Sequence, residues 1–358
     1  MNKPTQELYN HGVSLWLDNI TRQMLDDGTL KRYIGELSIT GLTSNPSIFD
    51  NAITNSDYYD EPIRKYGSQH LSAEELFFNL AIEDIQRAAD LFRPVFDRTN
   101  GLDGFVSIEV SPLLAYDPRK TIEAAREIFD KTGKPNVFIK IPGTREGLAA
   151  IEMAIAEGIP VNVTLLFSPD QYEAASEAYL RGVESRIRQG LNPDVRSVAS
   201  VFVSRWDKAV AGLVGPELQN KLGLTVMHKT YLSYLRFLKS TRVQRIMNFG
   251  AFPQRLLWAS TGTKDPNASD VLYVKNLIAP YTINTLPEAT LLAWADHGEP
   301  GPVLTDSPDE TKKLLQKFAS ASVDVTKLGL QLQNEGADAF NKSWDHLINS
   351  IKTKQNQI

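Results

Sequence analysis

The chain has no cysteine among its 358 residues, which excludes disulfide bonds, thiolate nucleophiles and thiolate metal sites. Histidine is scarce: His11, His70, His228, His297 and His346 are scattered without metal-ligand spacing, so no catalytic metal is expected. No apolar run reaches the length of a membrane span, and the N-terminus, Met-Asn-Lys-Pro-Thr-Gln-Glu, lacks the apolar core of a signal peptide. The expectation is a cytoplasmic protein with no membrane partner. Excess positive charge is missing too. The formal net charge is -5, the wrong sign for sequence-independent binding to nucleic acid, although a local basic pocket is compatible with it. There is no Pro/Gly/Ser-rich linker, low-complexity tract or convincing internal repeat.

What is present is ordinary for a folded protein: 42% hydrophobic and 23% charged residues, enough apolar surface for a sizeable core. The length would hold two average domains, but barrels of alternating strands and helices occupy it as one. One domain over residues 1–358 is the expectation. Short β-rich runs recur at 13–18, 38–43, 105–110, 137–141, 161–167, 198–203, 256–260 and 282–286, separated by charged segments of helical period. The runs are nearly continuous in their apolar character, as two-sided burial in a parallel sheet requires. A closed barrel and an open doubly wound sheet both satisfy this. The strand count of about eight, and the lack of a G-x-G-x-x-G turn after the first run, favour a (β/α)₈ TIM barrel.

Helix starts are legible at Ser168-Pro-Asp-Gln171, at Ser307-Pro-Asp-Glu310 and at Asp117-Pro118, where a capping side chain precedes proline in the first turn. Two regions exceed simple βα units: 216–237, read as one or two extra helices, and a helical tail at 307–352, expected beneath or beside the barrel.

Three of the apolar runs each carry one ionisable residue near the C-terminal end, where barrel enzymes place their active sites: Asp18, Glu109 and Lys140. Taken singly, each reads as readily as a structural ion pair or a strand-end charge reaching solvent. Buried charges cost several kcal/mol unless paired, so a lysine and two carboxylates converging on one lumen would satisfy one another. A lysine among apolar neighbours has its ammonium form disfavoured by desolvation, which frees an amine to attack a carbonyl. The resulting iminium is an electron sink. One carboxylate could then deprotonate a sugar hydroxyl to break the adjacent carbon–carbon bond, and the other could shuttle protons for imine formation.

Four segments in order, Thr43-Ser-Asn-Pro-Ser-Ile-Phe49, Val137-Phe-Ile-Lys-Ile-Pro-Gly-Thr144, Val161-Asn-Val-Thr-Leu-Leu-Phe-Ser168 and Ser200-Val-Phe-Val-Ser-Arg205, resemble the successive signatures of the transaldolase family. The resemblance covers about residues 10–290. It implies a cofactor-free, class I transfer of a dihydroxyacetone unit between phosphorylated ketose and aldose substrates in the non-oxidative pentose phosphate pathway. By the same resemblance Lys140 is the Schiff-base nucleophile, Asp18 the acid/base, and Glu109 with Thr164 the pair that holds a catalytic water.

The resemblance further implies that Asn45 and Asn162 hydrogen-bond the dihydroxyacetone unit, an amide being both donor and acceptor. Asn45 alone would read as an Asn-Pro turn former. Ser200 and Phe202 complete the substrate-binding set, Phe202 matching an aromatic that lines the pocket, although Trp16 and Phe202 read first as packing residues. Phosphate recognition falls to Arg205 and Ser260. In Trp258-Ala-Ser-Thr-Gly-Thr-Lys264 the chain departs from short transaldolases, which carry an arginine soon after the matching serine. Lys264 is the substitute, a point charge in place of a fork. Gly143-Thr-Arg-Glu-Gly147 lacks P-loop spacing and reads as a turn and helix start.

Two other functions stay open at this stage: a fructose-6-phosphate aldolase, which would release free dihydroxyacetone, and a non-catalytic sugar-phosphate-binding barrel. The resemblance implies transfer rather than release, because the family's smaller aldolases are much shorter and carry a tyrosine-linked proton relay where this chain has Glu109 and Thr164. The polar end Ser350-Ile-Lys-Thr-Lys-Gln-Asn-Gln-Ile358 suits a standalone enzyme better than half of a fusion with a phosphoglucose isomerase. A homo-oligomer is compatible with everything above.

Overall fold

The apolar runs form eight parallel strands: β1 (Val13–Asp18), β2 (Ile39–Thr43), β3 (Val106–Glu109), β4 (Val137–Pro142), β5 (Val161–Leu166), β6 (Ser197–Phe202), β7 (Arg255–Ala259) and β8 (Thr282–Leu286). In the computed structural model, which describes residues 2–67 and 71–357, they close in sequence order into a barrel, with β8 paired to β1. The expected (β/α)₈ barrel is found, and the open sheet is excluded. Continuous apolar character follows from the closure. Every residue of β2, β3, β4, β5, β6 and β8 is buried, one set against the helices and the other in the lumen.

The lower lumen is filled by aromatic rings. Phe105 stacks on Phe138 with centroids 4.0 Å apart, and Phe138 on Trp16 at 6.2 Å. Trp16 packs as expected, and it fits only because its neighbour in register is Gly41, where a Cβ would collide with the indole. Its Nε1 donates to the buried carboxylate of Asp103, 3.0 Å away. Trp16, Phe105 and Phe138 are all buried, and together they floor the lumen beneath its C-terminal end.

Ser168 caps helix Pro169–Arg188 in a full capping box with Gln171, and Asp117 caps helix Pro118–Thr132. Gly143–Gly147 is a turn leading into helix Gly147–Glu157. The third expected cap fails. Helix Asp309–Ser320 starts with Pro308 at its cap position and no side-chain cap; its first turn is tied instead to a neighbouring helix, His228 bridging Thr311 Oγ1 and Thr305 O at 2.6 and 2.8 Å. The extra helical region runs further than read, as a short turn Pro216–Leu218, helix Leu222–Lys239 and a Ser240-capped helix Thr241–Asn248.

The tail also departs from expectation. Its long helix, Val325–Gln357, lies neither beneath nor beside the barrel but across the C-terminal ends of the strands. Leu332, Gly336, Phe340, Trp344, Leu347 and Ile351 form one buried face at helical spacing. Trp344 packs edge-on to Phe77 at 5.2 Å, Ser47 Oγ donates to Ser343 Oγ at 2.7 Å, and Lys354 pairs with Asp60 at 2.6 Å. The small residues Gly329 and Gly336 let the helix approach Trp206 and Leu165.

No helix among the described residues is long and apolar enough to cross a membrane. His70 lies outside the described residues, and among those described no cluster of three or more His, Cys, Asp or Glu could hold a metal.

Candidate active site

Parallel pairing fixes which charges meet. Glu109 and Lys140 are register partners across β3 and β4, and paired residues of a parallel sheet point to the same face. Lys140 Nζ lies 3.3 Å from Glu109 Oε2 with both side chains buried, and donates to Ser44 O at 3.0 Å. The contact with Glu109 is off hydrogen-bonding geometry, so both carboxylate oxygens, like Thr164 Oγ1, are buried with no hydrogen-bond partner among the described residues. Burial pushes the Glu109 carboxyl above the ordinary carboxylate range, against the opposing charge of Lys140.

Asp18 ends β1 opposite Thr43 of β2. Thr43 Oγ1 donates to Asp18 Oδ1 at 2.7 Å and lies 2.6 Å from Thr285 Oγ1 of β8, so hydroxyls from both neighbouring strands meet beside the carboxylate. Burial raises the Asp18 carboxyl too, with Lys140, the Thr43 hydrogen bond and Lys264 working the other way.

Asp18, Thr43, Lys140, Thr164 and Thr285 face a cavity of about 190 Å³ at the C-terminal mouth. Among the residues singled out from sequence, Asp18, Asn45, Lys140, Thr164, Ser200, Phe202, Arg205, Ser260 and Lys264 line it. Glu109 and Asn162 stand behind the wall. Asn162 is fully buried, donating to Ser107 Oγ at 3.1 Å and accepting from Ser200 Oγ at 2.7 Å, so it orients Ser200. Asn45 fits both readings of it. It caps helix Pro46–Thr54 by accepting from Ile48 N at 3.0 Å, and its remaining amide hydrogens stay available to the cavity.

At the rim, Arg205 follows β6 in helix Ser204–Val210. Its half-buried guanidinium has no hydrogen bond or ion pair among the described residues and stands 5.4 Å from the Phe202 ring. Burial lowers its pKa, opposed by Glu335. An unpartnered half-buried arginine is a ready anion site. Ser260, left-handed at φ 57°, is 2.9 Å from Ser204 Oγ. Lys264 is exposed and reaches the same cavity, in the position where a second cation was expected.

Sequence reasoning did not single out Thr43, Thr285 or Phe340. Thr43 opens the segment Thr43–Phe49 that carries part of the family resemblance. Phe340 comes from the long tail helix and closes the cavity, its ring centroid 5.9 Å from Lys140 Nζ. Its helical stripe was visible in the sequence, but the stripe's destination was not.

A family model described as Transaldolase/Fructose-6-phosphate aldolase matches residues 15–351, most of the tail helix included. Proteins named Transaldolase from Parafrankia sp., Thermobifida fusca and Thiobacillus denitrificans are 40%, 42% and 41% identical to this chain. The alignments cover 98%, 98% and 97% of it, and 98%, 98% and 99% of those proteins.

Proposed function

The chain belongs to the transaldolase/fructose-6-phosphate aldolase family, and from that premise we propose that it works as a transaldolase through a Schiff base on Lys140. It moves a dihydroxyacetone unit from sedoheptulose 7-phosphate to glyceraldehyde 3-phosphate, giving erythrose 4-phosphate and fructose 6-phosphate. A cytoplasmic site of action and one domain spanning the chain go with this reading.

Lys140 Nζ adds to the ketose carbonyl, and the carbinolamine loses water while Glu109, through a water shared with Thr164, carries the protons. The iminium draws in the electron pair of the adjacent carbon–carbon bond as Asp18 takes the proton from the hydroxyl beyond it. That bond breaks, the shortened aldose leaves, and an enamine stays on Lys140. The enamine carbon bonds to the acceptor's carbonyl carbon, Asp18 returns its proton to the new alkoxide, and water releases the ketose. Arg205, Ser260 and Lys264 hold the phosphate, while Asn45 and Ser200 hold the dihydroxyacetone hydroxyls and Asn162 steadies Ser200.

The observation that carries this reading is a buried lysine 3.3 Å from its register partner Glu109, facing a cavity that Asp18 also lines. Borohydride added with fructose 6-phosphate should attach the sugar fragment to the peptide containing Lys140, and an adduct elsewhere or none would overturn the assignment. Glu109 with Thr164 favours transfer over an aldolase's release. Release of dihydroxyacetone without an acceptor, at a rate comparable to transfer, would decide for the aldolase.

A further inference from the structure

We propose that Gln333, on the tail helix, is a positioning residue that sets Thr164 for imine formation; this rests on the transaldolase reading of the site. Gln333 is buried, and its Nε2 donates to two carbonyls, Gly143 O at 3.0 Å and Leu165 O at 2.9 Å. Those two residues bracket Thr164. Leu165 follows it in β5, and Gly143 N donates to Thr164 O at 2.7 Å.

The backbone at this point needs external support. The β5 ladder to β6 slips between Val163 and Leu166, and Leu165 adopts φ 57°, a left-handed conformation that non-glycine residues rarely take. A carbonyl turned out of its ladder needs another donor, and Gln333 supplies one from far along the chain. Gly143 is equally constrained, because a Cβ there would strike Leu166. Thr164 Oγ1 has no hydrogen bond among the described residues, so no polar partner anchors its side chain, and its place follows from the backbone that carries it and the packing around it. One carboxamide with two hydrogens matches two carbonyls; leucine, of similar size, can donate to neither.

The test is Gln333→Leu, alone and combined with Thr164→Val. We expect Gln333→Leu to slow imine formation, read by borohydride trapping at Lys140, by about tenfold, the scale of a lost buried hydrogen bond. The acceptor KM should stay within about twofold. The double variant should form imine no more slowly than the slower single variant, since Gln333 acts through Thr164. An unchanged trapping rate, or losses that multiply, would overturn the proposal. A readout independent of activity is hydrogen exchange of the Gly143 amide, which should quicken by about tenfold in Gln333→Leu; unchanged exchange overturns positioning. If the unmodified protein itself forms no adduct at Lys140, the catalytic reading fails, and Gly143 exchange still decides whether Gln333 fixes this backbone. Should Gln333→Leu not fold, Gln333→Glu serves. An ionised carboxylate cannot donate and a protonated one can donate once, so its trapping rate relative to the unmodified protein should rise as pH falls, and a flat ratio refutes the role.

Discussion

Lys140 and Glu109 meet across the β3–β4 pair at 3.3 Å, and neither carboxylate oxygen of Glu109 has a hydrogen bond among the described residues. A carboxylate kept this free in a buried site is held by charge alone, which suits a group that must accept and return protons. Glu109→Gln keeps the shape and removes that capacity. Imine formation should slow by about 10² to 10⁴, the usual range for one general acid–base group, with KM little changed. Trapping at the unmodified rate would assign Glu109 a structural role.

The same pair makes a prediction about stability. Burial raises the Glu109 and Asp18 carboxyls, and Lys140 opposes the rise in both. In Lys140→Met that opposition is gone, so both folded-state pKa values climb further above their unfolded values. A group raised in this way contributes stability that is present at low pH and is lost as pH rises through its folded pKa. The urea midpoint of Lys140→Met, measured against the unmodified protein, should therefore fall as pH goes from about 5 to about 8. A difference independent of pH would show that the two carboxyls are not coupled to Lys140.

Asp18 acts after the imine exists. Asp18→Ala should still form the borohydride adduct while turnover falls by about 10² to 10⁴. Normal turnover would remove Asp18 from the mechanism. Thr43→Val gives a subtler test: the hydrogen bond it deletes helps to hold the Asp18 carboxyl down, so the acid limb of kcat should move to higher pH. An unmoved limb would mean that another group controls it.

At the rim, two cations should differ in weight. Arg205 is half-buried and without an acceptor among the described residues, whereas Lys264 is exposed. A guanidinium in a desolvated setting makes forked, charge-assisted bonds, while an exposed ammonium is screened by salt. Arg205→Ala should raise KM for phosphorylated substrates by about 10² and Lys264→Ala by only a few fold, the latter vanishing in high salt. Equal effects, or a larger one at Lys264, would reverse this ordering of the phosphate site.

Much of this was legible in the sequence, for identifiable reasons. Barrel strands are buried on both faces, so a lone Asp, Glu or Lys in one stands out against its apolar neighbours, as Asp18, Glu109 and Lys140 do. Helices offer no such contrast. Phe340 and Gln333 sit in a stripe that would look the same wherever the helix docked, and only its small residues, Gly329 and Gly336, show how close that docking is. Nor could Asn162 be separated from the cavity wall by sequence, because its alternation along β5 matches that of Thr164 and only depth in the lumen distinguishes them.

The same blindness hid a second buried ion pair, in helical sequence where charges are unremarkable. Arg22, in helix Arg22–Asp26, lies 2.8 Å from Asp84, a fully buried residue of helix Ala73–Arg98; Tyr59 donates to the same carboxylate at 2.9 Å. Burial lifts the Asp84 carboxyl to about 6 against the pull of Arg22. Without Asp84 the buried Arg22 keeps only the part-exposed Glu83, 3.1 Å away, and Tyr59 loses its acceptor, so Asp84→Ala should cost about 3 kcal/mol of stability, the low end for a broken buried pair, while replacing both Arg22 and Asp84 by apolar residues of similar volume should recover most of that. Because the pair lies outside the cavity, kcat of whatever remains folded should be unchanged. Urea midpoints and turnover measured on the single and double variants check both halves: a single variant as stable as the unmodified protein would show that the pair carries no such weight, and a fall in kcat would connect it to the site.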